Sequence, residues 1–355
     1  MEDITLGSKS KPEHVSDFFL HNKVSIKDIA RQAGISPSTV SRVVNGKTNV
    51  NSKKREQILK LIEETGYVPN RAARSMVLNR SFTVGIIIPD TFNMFQRQLF
   101  SIIQRHLESF GYHTLFFFVT FEEQSEKACL NRLKAEQPDG IIMVHEIKTP
   151  VFYDYVIKSK LPVVTATFHH PEINAIHVNE EQASRDAVNH LISLGHRDIV
   201  MICGDGFTFG RQRVEGFFNS FIEADISWDK DRVVFVPAYT AEFGMYGMRE
   251  LLLRRGKHSF TALFAATDEL AIGAMRVLAD EGLKVPEDVS VVGFDDIDIA
   301  KYMNPRLTTI SQPLTHMGER TAVNLHRQIT ENIISRDEQI FPYKLVVRES
   351  TRAFK

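Results

Sequence analysis

Apolar positions set the first part of the chain into short amphipathic helices. In "IKDIARQAG", Ile26, Ile29, Ala30 and Ala33 fall at i, i+3, i+4 and i+7, one helix face, and Gly34 ends the run. In "SPSTVSRVVNG", Val40, Val43 and Val44 share a face, while Ser38, Arg42 and Asn45 lie opposite. Ser36 suits the N-cap there, and Pro37 suits the first helical position, where its missing N–H costs nothing. A third helix is predicted over "SKKREQILKLIEETG", with Ser52 as cap, Ile58, Leu61 and Ile62 as core face and Gly66 as stop. From Phe82 the pattern changes to strand and helix in alternation. The strand-like runs are "FTVGIII", "YHTLFFFV", "DGIIMV", "PVVTA", "DIVMIC", "RVVFV", "ALFAA" and "VSVVGF", separated by helical stretches such as "EQASRDAVNHLISLG" and "DELAIGAMRVLADEG". Continuous apolar strands between helices predict parallel sheets buried on both faces, here an α/β body of two doubly wound subdomains with a crevice between them.

Composition narrows the class. The 355 residues are enough for two or three domains, and 43% hydrophobic with 25% charged residues fits a globular chain rather than a disordered or membrane one. The net charge of −1 hides an asymmetry: residues 23–80 hold twelve Lys/Arg against four Asp/Glu, while residues 81–355 hold 29 against 36. A basic head on an acidic body is the footprint of a polyanion-binding module. Cys129 and Cys203 are the only cysteines, which argues against a disulfide framework and for a reducing, cytoplasmic location. No apolar run approaches the roughly 18–20 residues that span a bilayer. The start, "MEDITLGSKSKPEHVSD", lacks the apolar region of a secretory signal.

Two short helices joined by a tight Gly-containing turn make a helix-turn-helix, whose second helix enters the major groove of DNA. Its polar face then has a purpose. Arg42 can pair with guanine, Ser38 and Thr39 can reach bases or phosphates, and the N–H groups at the helix start favour phosphate. The stretch "VSIKDIARQAGISPSTVSRVVNGKTNVNSKKREQILKLIEETGYVPNRAARSM" resembles the DNA-binding head of the LacI/GalR family of bacterial transcriptional repressors. The resemblance implies base reading by Pro37, Ser38 and Arg42, with Pro37 limited to apolar contact. It implies phosphate contacts from Ser25, Ser36, Thr39, Asn45 and Tyr67; for Tyr67 a staple on the third helix is the structural alternative. In "PNRAARSMVLNR" Asn70 can cap a short helix, and Ala72 and Ala73 are small enough for close contact with a symmetry mate. The resemblance implies a hinge helix that orders on DNA, with Arg71 and Ala73 in the DNA-binding set and Met76 as the minor-groove wedge where the family usually has Leu, the alternative being a linker with an apolar contact.

The resemblance continues through "VGIIIPD", "DGIIM", "SLGHRDI", "RVEGF", "VVGFDD" and "PRLTTISQP", and the body is similar to sugar-binding periplasmic proteins. It implies an effector pocket between the subdomains, with Arg213 and Asp295 facing ligand hydroxyls and Tyr239 as an aromatic plate. Phe95, Gln96, Thr167 and Thr267 match more variable pocket positions. The structural alternative is an Arg213–Asp295 ion pair and a core Tyr239. Departures from the family pattern are Gln96, where an aromatic is usual, "VNEE" at 178–181, and His169–His170 after the fourth strand.

The expected organisation is an extension at 1–22, expected to be disordered, a head at 23–68, a hinge at 69–81 and a body at 82–355. Within the body, one subdomain takes about 82–181 and 312–341, and the other about 182–311 and 342–355. The predicted function is a homodimeric regulator, most simply a repressor, binding a near-palindromic operator under control of a small sugar-like effector, with no cofactor and no catalysis. A dimer is the default because no long amphipathic extension follows Arg352. Three rivals are weaker. "GDGFTFG" is one residue too long for the dinucleotide fingerprint. Adjacent histidines at 169 and 170 do not share a helix face, and no H-E-x-x-H occurs, which opposes metal hydrolysis. A transport-type binding protein would not carry the basic head.

Overall fold

The computed structural model describes residues 24–44, 49–67, 75, 80–91, 93–120, 122–205, 208–255 and 259–354. The expected extension at 1–22 and the assignments to Asn45, Asn70, Arg71, Ala73 and Met76 lie outside them. The chain divides into two compact units, Met1–Arg80 and Ser81–Lys355.

The first unit holds helices α1 (Ile26–Ala33), α2 (Pro37–Val44) and α3 (Ser52–Thr65). Ser25 and Asp28 form a reciprocal capping box at the start of α1. Gly34 and Gly66 stop α1 and α3 in the left-handed region, φ 64° and 63°, where a Cβ would be strained. Ser36 Oγ accepts from Thr39 N at 3.3 Å at the start of α2. The cap of α3 differs from expectation: Asn51, not Ser52, accepts from Lys53 N at 3.0 Å, and Ser52 is already helical. Ile29, Ala30, Val40, Val43 and Ile58 form the buried core, closed by the ring of Tyr67.

The second unit is built on two six-stranded sheets. The first carries β1 (Thr83–Pro89), β2 (His113–Val119), β3 (Gly140–Met143), β4 (Val163–Ala166), β5 (Asn174–Val178) and β11 (Glu338–Phe341), ordered β11-β5-β4-β3-β1-β2 and parallel throughout. The second carries β6 (Ile199–Gly204), β7 (Val233–Val236), β8 (Ala262–Ala265), β9 (Ser290–Asp295), β10 (Thr308–Ser311) and β12 (Lys344–Val346), ordered β12-β10-β9-β8-β6-β7. Only β12 runs antiparallel among these pairings, so the second sheet is not purely parallel as the apolar runs predict.

Helices α4 (Met94–Ser109), α5 (Glu123–Glu136), α6 (Pro150–Lys158) and α11 (Leu314–Glu331) belong to the first lobe. Helices α7 (Glu180–Ser193), α8 (Thr208–Glu223), α9 (Ala241–Arg255) and α10 (Asp268–Asp280) belong to the second. The central strands are buried along their length except for the half-buried Thr83 that opens β1, as sheets covered on both faces require. The chain crosses between lobes after β5, after β10 and after β11. These crossings, at Asn179, Gln312 and Pro342, flank a cleft at the carboxyl ends of both sheets.

Candidate functional site

Two surfaces carry chemistry. On α2 the valines turn inward and leave Ser36, Pro37, Ser38 and Arg42 exposed, with Thr39 half-buried. Ser36 Oγ lies 2.9 Å from both Ser38 Oγ and Thr39 Oγ1, so the hydroxyls form a connected row at the helix start. Pro37 has no N–H and the N–H groups of Thr39 and Val40 are held by Ser36, so this row of hydroxyls supplies the rotatable donors at the helix start. Ser25 is differently placed. Its hydroxyl donates to Asp28 Oδ2 at 2.6 Å, which, with the Ser25 N–H and Arg31, holds the Asp28 carboxyl below its usual range. A phosphate at Ser25 would therefore compete with a carboxylate. The ring of Tyr67 is in the core, and the residue is 8% exposed.

The second surface is the interlobe cleft. Asn93, Phe95, Gln96 and Thr167 from the first lobe meet Glu180, Phe209, Arg213, Thr267 and Asp295 from the second, with Gln312 at a crossing. They enclose a narrow, nearly filled cavity of about 20 Å³, room for about one water molecule with the lobes as they stand. Arg213 is buried at its centre. Its Nε donates to Glu180 Oε2 at 2.8 Å, its Nη1 donates to the Ala266 carbonyl, and its Nη2 lies 3.8 Å from Asp295 Oδ1. The guanidinium stacks 3.6 Å above the Phe294 ring. Burial works against its charge, but the Glu180 and Asp295 carboxylates outweigh burial and raise its pKa. Burial dominates at Asp295, pushing its carboxyl well above the usual range despite Arg213. Gln312 Nε2 donates to Asp295 Oδ1 at 2.9 Å.

Local folding fixes these side chains. Asn93 and Gln96 form a reciprocal capping box that starts α4, and Thr267 caps α10. Thr167 and Asp295 sit at φ 82° and 113°, conformations that non-glycine residues adopt only where the surrounding structure holds them. Such strain is concentrated at binding sites and points to the cleft rather than to either sheet alone.

Tyr239 does not line the cavity. It lies behind Phe209, ring centroids 5.3 Å apart, and donates from its hydroxyl to the Gly204 carbonyl at 3.1 Å. The reason is steric. A Cβ on Gly204 or Gly210 would come within 2.4 Å of Tyr239, so the glycines of "GDGFTFG" make the recess that draws the ring into the wall. Phe209, in the first turn of α8, is the aromatic that faces the cavity. Sequence reasoning missed Asn93, Glu180, Phe209 and Gln312. The signals were the capping position before α4, the second acid-rich departure in "VNEE", the aromatic in "GDGFTFG" and the Gln of "SQP". His170 stacks on Tyr153 at 4.5 Å, away from the cavity lining. Among the described residues no group of three His, Cys, Asp or Glu is arranged to hold a metal ion.

Comparison with known proteins bears on both surfaces. Residues 25–70 match the family described as bacterial regulatory proteins, lacI family, and residues 188–351 match a periplasmic binding protein-like domain. Catabolite control protein A of Priestia megaterium is 32% identical over 333 residues, 93% of this chain and 99% of that protein. Among solved structures, a lac repressor dimer bound to operator and the anti-inducer ONPF superposes with a TM-score of 0.81 at 27% identity, covering 94% of this chain and 100% of that one. A complex of the transcriptional regulator CelR with cellobiose superposes with a TM-score of 0.69 at 27% identity, covering 92% and 99%.

Proposed function

The chain belongs to the lacI family of bacterial regulatory proteins, and we propose from that membership that it is a sequence-specific repressor acting as a homodimer in the cytoplasm. The observation that carries this reading is the face of α2, where Ser38 and Arg42 stand exposed beside a row of hydroxyls while Val40 and Val43 are buried. A helix with that division presents donors and acceptors to base edges from a rigid support. Two such heads on a two-fold dimer read a near-palindromic operator, one half-site each. Pro37, Ser38 and Arg42 face the bases, and Ser36 and Thr39 the phosphates. Ser25, Asn45, Asn70, Arg71, Ala73 and Met76 complete the DNA-facing set by resemblance, while Tyr67, whose ring closes the core of the head, is left out of it. The cytoplasmic assignment fits two buried free thiols and the lack, among described residues, of any helix long and apolar enough to cross a membrane.

The cleft is the control site. Phe95, Gln96 and Thr167 on one lobe and Arg213, Thr267 and Asp295 on the other can grip one small polyol, so occupancy favours one lobe arrangement over another. Coupling of this kind is typically about 1–3 kcal/mol. The test is selection of bound sequences from a random duplex pool at low salt, then titration of the selected site by fluorescence anisotropy. A palindromic consensus, bound about 5–150-fold more or less tightly when the cleft is occupied, is the expected result. Equal binding of every duplex would sink the repressor reading.

A further inference from the structure

The charge balance of the cleft, together with one unpartnered amide atom, says what kind of molecule fits it. Resting on the reading of the cleft as the effector site, we propose that it takes an uncharged polyhydroxy ligand and rejects phosphorylated and carboxylated forms of that ligand, with Gln312 reading one hydroxyl.

Among the described lining residues, Arg213 is the only cation, and it faces two carboxylates, Glu180 and Asp295. Its Nε is committed to Glu180, its Nη1 to the Ala266 carbonyl, and its face to Phe294. With Asp295 ionised the lining carries a charge of about −1, and with Asp295 neutral about zero. In neither state is positive charge left over for an anion. Two further carboxylates, Glu146 and Glu269, are held in bonds that bridge the lobes, to Thr208 and to Met94 N.

Gln312 adds the positive requirement. Its Nε2 is held by Asp295, while its Oε1 is sealed from solvent and accepts no hydrogen bond. Exchanging the amide nitrogen and oxygen would only replace a lone acceptor by a lone donor. A buried polar atom without a partner is unfavourable, and a ligand that supplies the partner recovers that loss on binding. A hydroxyl serves, because it donates and accepts. With the amide oriented as here, an ionised phosphate or carboxylate oxygen only accepts and leaves Oε1 alone. In the exchanged orientation a lone N–H would donate to an anion, so the rejection of anions rests on the charge balance and Gln312 supplies only the bond to a hydroxyl. Gln312 lies at a lobe crossing, between β10 and α11, so this bond would form where the lobes turn on each other.

The test is isothermal titration of the full-length protein at pH 7.5 with matched probes: ribose against ribose 5-phosphate, glucose against glucose 6-phosphate and glucuronate, cellobiose, and inorganic phosphate. The expected result is binding of at least one neutral sugar, with its charged counterparts at least about a hundredfold weaker. Gln312→Met should weaken that sugar at least about tenfold. Glu180→Gln combined with Asp295→Asn, which leaves the guanidinium without an offsetting carboxylate, should strengthen inorganic phosphate or a phosphate ester at least about tenfold. Operator binding by each variant reports that it is folded. The proposal is overturned if a phosphorylated or carboxylated probe binds as tightly as its neutral parent, if Gln312→Met leaves sugar affinity unchanged, or if no neutral sugar in the panel binds. Failure of the wild-type protein to bind any operator would instead overturn the repressor reading.

Discussion

Replacing Arg213 with methionine asks how much of the body's stability the buried cleft triad commands. The change removes the 2.8 Å bond to Glu180, the bond to the Ala266 carbonyl and the contact with Phe294, while methionine keeps most of the apolar volume. The side chains of Arg213 and Glu180 are 3% and 2% exposed, so water cannot replace the lost partner. Removing one member of a buried ion pair typically costs about 3–5 kcal/mol. The stranded carboxylate has one escape, which is to take up a proton. Neutralising a side-chain carboxyl of ordinary acidity at pH 7 costs about 3.5–4 kcal/mol, so the loss should lie near 3–4 kcal/mol and not far above it.

That escape gives the loss a sign with pH. The folded variant binds a proton that its unfolded chain lacks at neutral pH, so acidification restores stability by up to about 1.4 kcal/mol per unit. At pH 5 the gap to wild type should shrink to about 1–2 kcal/mol. Urea unfolding reports this directly through the single tryptophan, Trp228, which lies in the body against Phe218. Combining Arg213→Met with Glu180→Gln should recover at least half of the loss and remove its pH dependence. A loss below about 1 kcal/mol at pH 7.5, or an equal loss at both pH values, would refute the reasoning, since buried pairs broken on one side are reliably costly.

The other expectations are briefer. Arg42→Ala should weaken specific operator binding by about 1–3 kcal/mol and relax one base position, whereas Lys53→Ala should weaken all sequences alike and flatten the salt slope by about one; anisotropy over a salt series distinguishes them. Gly273→Ala places a Cβ 1.9 Å from the Ala241 carbonyl oxygen and 2.7 Å from Met245 N, so α9 and α10 must separate. At about 1–3 kcal/mol, and about 2–4 °C per kcal/mol, several degrees of melting temperature should be lost, and calorimetry with an unchanged midpoint would count against that contact. Burial raises the Asp268 carboxyl from 3.8 to about 7, only partly offset by the Thr309 hydroxyl and the Ile297 N–H. The unfolded chain therefore ionises first, and stability should fall as pH rises from about 4 to about 7, by up to about 1.4 kcal/mol per unit. Asp268→Asn should flatten that fall, and urea midpoints across the window that run parallel in both proteins would exclude Asp268 as its source.

What was legible followed from burial pattern. Runs such as "GIIM" and "IVMICG" are apolar because both faces are covered, and they stand as strands where the sequence alone places them. Four strands escaped notice: β5 and β10 are largely buried but carry Asn174, His177, Thr308, Thr309 and Ser311 instead of an apolar run, and the other two lie at sheet edges. β11 alternates exposed and half-buried positions at a sheet edge, and it exists because Glu338–Phe341 finds β5 about 160 residues earlier in the chain. β12 has three residues and reverses direction, which no local pattern announces. The cap of α3 turned on Asn51 against Ser52, adjacent residues of equal capping aptitude. In the cleft, the family resemblance pointed to Arg213 and Asp295, but it named Tyr239 as the aromatic where Phe209 stands in front. That choice between Tyr239 and Phe209 was made by the missing Cβ atoms of Gly204 and Gly210, a three-dimensional fit with no periodicity to reveal it.

The bonds that bridge the lobes give the proposed switch a physical form. Glu146, from the loop after β3, accepts from Thr208 N at 3.0 Å and from Thr208 Oγ1 at 2.7 Å, at the start of α8 in the other lobe. Glu269, in the first turn of α10, accepts from Met94 N at 2.5 Å, at the start of α4 in the opposite lobe. Each lobe thus lends a carboxylate to a helix N-terminus of the other, where unpaired N–H groups and the helix dipole favour negative charge. Opening the cleft exchanges both bonds for water, which can hydrate a carboxylate and an N–H almost as well. The lobes are therefore joined by interactions that cost little to break, while the sheets on either side are packed too densely to deform. Moving such an element from 1:99 to 99:1 requires a differential of about 5.5 kcal/mol, which a ligand held by both lobes at once can supply and one held by a single lobe cannot.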